Sequence, residues 1–301
     1  MTIQEIRLKS IESLRNSNLK NFPEQLRTIS LDSDIIISHI LQKNRTWILF
    51  HRSEEVPKDK EEKIFSLIEQ RKTGLPIAYI TGHKEFFGLD FLVTRDVLIP
   101  KPDTELLVEK TIAETNTRAG ARICDMCSGS GCAGISVVKN APSVSSVTFA
   151  DISEKALEIT RINAERLLGT DEPSKKIFFV LSDLFSSVAG CFDIIITNPP
   201  YVPHTTATEL LKDGRSEPIL ALDGDVDEKG ENARTDDGLS IIRRLVPQCF
   251  EHISEKGVLL METGEYNAQE TALLFEKCGF ARVHIEKDMN DMMRVVIGYK
   301  K

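Results

Sequence analysis

Along residues 1–73 apolar side chains recur at three- and four-residue spacing, in IRLKSIESL, DIIISHIL and EKIFSLIEQRK. Polar breaks fall at Asn21-Phe22-Pro23 and around Pro57, so this stretch is expected to be a small all-helical domain. Residues 74–100 change character. AYITGHKEFFGLDFLVT is rich in aromatic and β-branched residues with glycine breaks, which predicts a β-hairpin-like linker. Pro100 and Pro102 then precede a helix over Glu105 to Thr115. From Arg122 the pattern alternates. Strands are expected at 123–126, 147–150, 177–180, 194–197, 258–262 and 294–298, and helices at 133–139, 154–168 and 238–250, with one more ending near 275–279. Several of these strands are continuous apolar runs, as when helices cover both faces of a sheet. Residues 101–301 therefore read as a doubly wound α/β domain, with its cleft at the carboxyl ends of the strands.

A length of 301 residues suits two such domains. No apolar run approaches the roughly 20 residues of a membrane helix, and MTIQEIRLKSIESLR has no secretory apolar core, so a cytoplasmic protein is expected. The formal net charge is -8, which argues against a general nucleic-acid binder. Its location is uneven. Residues 1–110 carry 17 basic and 17 acidic side chains, whereas residues 213–237 carry three basic and nine acidic ones. That segment has no periodicity, so a solvated acidic loop near the substrate entrance is expected.

The chemistry begins at Asp125-Met126-Cys127-Ser128-Gly129-Ser130-Gly131-Cys132-Ala133-Gly134. Gly129, Gly131 and Gly134 satisfy G-x-G-x-x-G between a strand and a helix, where side chains would keep a ligand away from the backbone. Asp151 ends the next strand, placed to accept hydrogen bonds from ribose hydroxyls. Either a dinucleotide or S-adenosylmethionine fits this pattern. Further on, Asp183 is placed either to meet an adenine amino group, with Leu184 or Phe185 covering the ring, or to cap a helix over LFSSV.

A second motif, Asn198-Pro199-Pro200-Tyr201, follows the apolar strand FDIIIT. Two prolines remove two N–H donors, so the turn presents carbonyl oxygens. The Asn198 side-chain oxygen and the Pro199 carbonyl can each accept one hydrogen of a planar NH2 group, on which Tyr201 can stack. Holding both hydrogens aims a poorly nucleophilic nitrogen at a methyl sulfonium, whereas hydride transfer has no use for such a turn.

With these motifs in place, the chain resembles the HemK/PrmC family of protein-glutamine methyltransferases along nearly its whole length. GLPIAYITGHKEFFGLDF, VLIPKPDTELLVE, the glycine turn, NPPYVP, EPILALDG and DDGLSIIRRL carry the likeness, as does LDSDIIISHILQKNRTWILFH near the N-terminus. The resemblance implies a Rossmann-like, S-adenosylmethionine-dependent methyltransferase domain behind a helical substrate-recognition domain. It implies as substrate the glutamine of the GGQ motif in class-1 peptide chain release factors. Asp125, Cys127, Ser128, Gly129, Ser130, Gly131, Asp151, Asp183, Leu184 and Asn198 are then the candidate cofactor-binding residues. Asn198, Pro199, Pro200 and Tyr201 are the candidate catalytic ones. Alternative substrates are an adenine or guanine amino group of DNA or RNA, or a glutamine of a ribosomal protein. Three positions depart from the family pattern: Cys127 and Lys101 stand where glycine and arginine are usual, and about ten acidic-rich residues near Val226–Thr235 look inserted. Cys124 and Cys127 have zinc spacing but no second pair, so no metal site is expected.

Overall fold

The computed structural model describes residues 1–169, 176–227 and 229–301; Glu228 of the acidic insertion lies outside them. The chain divides into two compact units, Met1–His83 with Glu209–Ser216, and Lys84–Thr208 with Glu217–Lys301.

In the first unit α1 (Ile3–Arg15) starts at a capping box, in which Thr2 Oγ1 accepts from the Glu5 N–H and the Glu5 carboxylate accepts from the Thr2 N–H. Four more helices follow: α2 (Pro23–Leu41), α3 (Arg45–Phe50), α4 (Lys58–Lys72) and α5 (Ile77–Thr81). Their apolar stripes meet in a core that includes Ile6, Leu14, Ile36, Ile37, Ile64 and Ile68. Two buried carboxylates on α2 tie the helices together. Asp34 accepts from Arg7 at 2.5 Å and from Arg45 at 3.2 Å, and Asp32 accepts from Arg71 at 2.8 Å. Asp32 and Arg71 are both almost wholly shielded, so losing either partner alone would strand a charge. Residues 209–216 complete this unit at a backbone crossing. A Cβ on Gly214 would lie 1.9 Å from the Thr73 carbonyl oxygen, and one on Gly74 would lie 2.0 Å from that of Asp213.

The hairpin of β1 (His83–Phe86) and β2 (Leu89–Leu92) turns at Phe87-Gly88, both in the left-handed region with φ of 50° and 75°. This is the primed turn that matches strand twist. Next come α6 (Thr104–Thr115), β3 (Arg122–Met126), α7 (Cys132–Asn140), β4 (Ser146–Asp151) and α8 (Glu154–Leu168). They are followed by β5 (Lys176–Leu181), β6 (Phe192–Thr197), α9 (His204–Leu210), α10 (Ser240–His252) and β7 (Ile253–Glu262). The chain ends with α11 (Ala268–Cys278), β8 (Ala281–Lys287) and β9 (Met293–Tyr299). Seven strands form one sheet in the order β5-β4-β3-β6-β7-β9-β8, all parallel except β9, which runs antiparallel to both its neighbours. The α/β expectation therefore holds. β8 was not expected: ARVHIEK is a sheet-edge strand whose exposure alternates, so it lacks an apolar run. Residues 184–187 form a turn rather than the helix considered above.

The order reverses between β3 and β6. From β3 the chain runs outward through β4 to β5, then returns to pair β6 on the other side of β3. Such a switch point leaves a crevice at the strand C-termini, because the connecting segments depart in opposite directions.

Candidate active site

Met126 lies opposite Thr197, so the glycine turn and the NPPY turn leave neighbouring strands at the same level. A cavity of about 290 Å³ opens there. Asp125, Cys127, Ser128, Gly129, Ser130, Asp151, Asp183, Leu184, Asn198 and Pro200 line it, whereas Gly131, Pro199 and Tyr201 are not among its lining residues.

The three glycines serve different purposes. At Gly129, φ is 56° and a Cβ would meet nothing within 4 Å, so the turn's backbone faces open space. Gly131 takes φ of 78° ahead of α7, and a Cβ there would press on Ile135 and Thr160. Gly134 is needed for close packing. A Cβ would come within 2.6 Å of Phe149 and 2.7 Å of Asp125 Oδ2. Among the described residues the buried Ser128 and Ser130 hydroxyl oxygens have no hydrogen-bond partner, at the wall of a mainly apolar cavity.

Three carboxylates surround the turn. Asp125 is buried and accepts the Gly134 N–H at 2.9 Å; burial, with help from the nearby Asp151 charge, pushes it up to about 7 against the pull of that N–H. Asp151 accepts the N–H of Gly129 on Oδ2 at 2.8 Å and that of Ser153 on Oδ1 at 2.9 Å. Burial raises it, and those backbone donors hold it back. Asp183 does not cap a helix. Its Oδ2 accepts from Arg244 at 2.6 Å, and the other arm of Arg244 donates to the Asp227 carbonyl at 3.4 Å.

On the NPPY side, Asn198 Nδ2 donates to Thr104 Oγ1 at 3.2 Å. In this orientation Oδ1 remains as the amide's acceptor. Tyr201 is pinned rather than exposed. Its hydroxyl donates to Glu262 Oε1 at 3.2 Å, and its carbonyl accepts from Tyr266 at 3.1 Å and from Asn267 at 3.0 Å. The backbone behind it is close-packed: a Cβ on Gly238, where φ is 71°, would lie 2.0 Å from the Tyr201 carbonyl oxygen. Glu262 is 1% exposed, and burial pushes it up to about 7 although the hydroxyls of Thr104 and Tyr201 favour its charged form.

Comparison with known proteins bears on this site. Residues 21–82 match the family model described as PrmC N-terminal domain, and residues 101–216 match the methyltransferase small domain. A release factor glutamine methyltransferase of Clostridium acetobutylicum is 33% identical over 304 residues, covering 100% of this chain and 99% of that one. The chain belongs to this family of methyltransferases. The protein of the same description from Leptospira interrogans is 33% identical over 91% of this chain and 92% of its own. Among solved structures, the T. thermophilus 16S rRNA N2 G1207 methyltransferase superposes with a TM-score of 0.51 at 16% identity, over 73% of this chain and 50% of that one. That likeness concerns the fold.

Four residues of this methyltransferase site were not singled out from sequence: Thr104, Arg244, Tyr266 and Asn267. Each lies far along the chain from the motif residue it touches, so no local pattern announces it. Glu262 ends the strand expected over 258–262, where no motif gives it a role. The Cys127 departure has a backbone consequence, because φ there is 61°, a region that favours glycine. Burial also pushes its thiol well up, so it is a neutral side chain at the cavity wall. Lys101 donates to the buried Glu217 at 2.6 Å. The acidic segment differs from the solvated loop expected for it. Glu217, Asp223 and Asp225 are buried, and Asp225 accepts from His204 and Gly238 N–H groups and from the hydroxyls of Thr235 and Ser240. Val226, Asp227 and Gly230 of the insertion line the cavity itself.

Proposed function

We propose that this protein transfers a methyl group from S-adenosylmethionine to the side-chain amide nitrogen of the glutamine in the GGQ motif of class-1 peptide chain release factors. The observation that carries this reading is the Asn198 amide, whose Nδ2 is engaged by Thr104 beside a cavity lined by the glycine turn. A fixed acceptor there suits an incoming NH2 group.

The residues present fit the cofactor. Open space at Gly129 and the unpartnered Ser128 and Ser130 hydroxyls leave polar groups for a ligand. Each Asp151 oxygen has accepted one backbone N–H and keeps capacity for a ribose hydroxyl. Arg244 occupies Asp183 Oδ2, leaving Oδ1 for an exocyclic amine. Leu184 supplies an apolar wall. Bound in this cavity, S-adenosylmethionine supplies a methyl group on a sulfonium centre. Asn198 Oδ1 and the Pro199 carbonyl accept the two amide hydrogens and so fix the nitrogen's direction. Orientation of this kind contributes several kcal/mol of barrier lowering, up to roughly 7–11 in the best-aligned cases. Acceptors on both hydrogens also favour the positive charge that develops on nitrogen, and the proton leaves after transfer. We assign the helical stretch 1–73 to recognition of the protein substrate, 74–100 to a linker and 101–301 to catalysis, in a cytoplasmic enzyme.

The test is label transfer from radioactive S-adenosylmethionine to a release factor, its Gln→Ala GGQ variant, a ribosomal-protein pool, tRNA and duplex DNA. Label is expected in the wild-type release factor alone. Label in nucleic acid, or equal label in the Ala variant, would sink the reading. Asn198→Ala is expected to abolish transfer while S-adenosylhomocysteine affinity stays within a few fold.

A further inference from the structure

We propose that Glu262 is a positioning residue that sets the direction of the Asn198 amide and of the Tyr201 ring through hydrogen-bond polarity; the proposal rests on the amide-methylation reading above.

β7 places Glu262 one position beyond Met261, which pairs with Thr197, so the carboxyl arrives beside the start of the NPPY turn. Its Oε1 accepts the Tyr201 hydroxyl at 3.2 Å. Oε2 is buried and has no hydrogen-bond partner among the described residues, and the Thr104 hydroxyl favours the charged form of the carboxylate. Thr104 is 2% exposed and accepts from Asn198 Nδ2 at 3.2 Å.

The direction of each bond follows from what an ionised carboxylate can do. It only accepts, so the Tyr201 hydroxyl donates to Oε1, and the Thr104 hydroxyl can serve the unpartnered Oε2 only as a donor. With its hydrogen turned to Glu262, Thr104 Oγ1 can only accept from Asn198, which must then offer Nδ2 to Thr104. The Asn198 oxygen is thereby turned to the substrate. Protonation reverses the logic. A carboxylic acid can donate to Thr104, whose own hydrogen can then satisfy Asn198 Oδ1, and the flipped amide would present donors to a substrate NH2 that needs acceptors. A donor facing a donor leaves both groups unpaired, the costly arrangement in a buried site.

Other groups surround this carboxyl. Arg294 on β9 favours its charge, while Asp103 ahead of α6 opposes it. Tyr201 is raised far above neutrality by burial, and Cys132 at the start of α7 is pushed up to about 12, so neither titrates near pH 7. Asp125, at about 7, is the group whose titration must be separated from that of Glu262, itself at about 7.

The experiment measures kcat for release-factor methylation from pH 5.5 to 9 with both substrates saturating. It compares wild type with Glu262→Gln, Thr104→Val and Thr104→Ser, each checked for folding by its S-adenosylhomocysteine affinity. Wild-type kcat is expected to fall about tenfold per pH unit on the acid side. Glu262→Gln is expected to be slower by roughly 10–100-fold at pH 8 and to lose that acid limb, because its amide can donate to Thr104 at every pH. Thr104→Val should be similarly slow, with Thr104→Ser within about threefold of wild type. An acid limb that persists in Glu262→Gln belongs to another group such as Asp125 and overturns the proposal. So does a Thr104→Val enzyme with wild-type kcat, a result that stands even if the Gln variant fails to fold. A wild type that labels no release factor at any pH sinks the parent reading as well, whereas an active wild type with either of those variant results sinks this one alone.

Discussion

Replacing Gly134 by alanine isolates the third glycine of the turn from the other two. The added Cβ would stand 2.6 Å from Phe149 Cε1, 2.7 Å from Asp125 Oδ2 and 3.0 Å from Asp125 Cβ. Alanine gains about 1 kcal/mol of helix propensity over glycine in α7. Overpacking a close-packed core costs roughly 1–3 kcal/mol. If the Asp125 carboxyl gives way, the Gly134 N–H loses its buried charged acceptor, at roughly 1.5–3 kcal/mol more. The balance is a loss of about 2–4 kcal/mol, or roughly 5–10 °C in the melting of the second unit. Thermal and denaturant unfolding with a probe in that unit would read the change, beside S-adenosylhomocysteine titration, because Asp125 also lines the cavity. Gly129→Ala is the contrasting variant. It meets no atom within 4 Å, so only the left-handed φ of 56° should cost it about 1–2 kcal/mol. Pairing Gly134→Ala with Phe149→Leu should recover part of the loss, since the two sites touch and cannot be additive. A Gly134→Ala protein as stable as wild type, or strict additivity with Phe149→Leu, would refute this account of the turn.

Other outcomes follow from the same geometry. Cys127→Gly relieves about 1 kcal/mol of left-handed strain but returns a similar amount in chain entropy, so the melting temperature should move by no more than roughly 2–3 °C; a tenfold loss of transfer would instead make the thiol a functional group. Asp125 and Glu262 are both raised to about 7 from ordinary values near 4, so the native state holds the extra protons between those values. Their contribution to stability is therefore fully present at low pH and falls as pH rises through that window, which unfolding of the ligand-free protein at pH 5.5 and 8 can check. A cationic ligand in this cavity should pull Asp125 back down. S-Adenosylmethionine binding at pH 7 is thus expected to release up to about half a proton, seen as a calorimetric enthalpy that varies with buffer ionisation. Deleting residues 226–235 removes three residues of the cavity wall and should weaken S-adenosylhomocysteine binding more than it alters salt dependence. The reverse pattern would mark the insertion as an electrostatic screen at the entrance.

Much of the architecture was legible because it is written locally. Apolar spacing marked α1, α2 and α4, and unbroken apolar runs marked β3, β4, β6 and β7, since an element buried on its stripe or on both faces cannot hide its period. β8 escaped because an edge strand needs only one covered face. Both turns were readable for the same reason: glycines and prolines restrict backbone geometry by themselves, whatever surrounds them. The acidic segment shows the opposite case. Its composition resembles a solvated loop, yet Glu217, Asp223 and Asp225 are buried acceptors for Lys101, for the His204 N–H and for N–H and hydroxyl donors of the folded-back segment itself and of Gly238 just after it.

The partition follows the reach of the forces involved. Backbone preference and side-chain period act over a few residues, so order of elements, the two motifs and the family likeness could be read from the chain alone. Hydrogen-bond direction depends on which donors and acceptors meet, and here the partners are far apart: Thr104 and Asn198 are 94 positions apart, Tyr201 and Glu262 61, and Asp183 and Arg244 61. Only the sheet, by setting β3, β6 and β7 side by side, brought the Asn198 amide to the cavity beside the glycine turn and held Tyr201 by a buried acid.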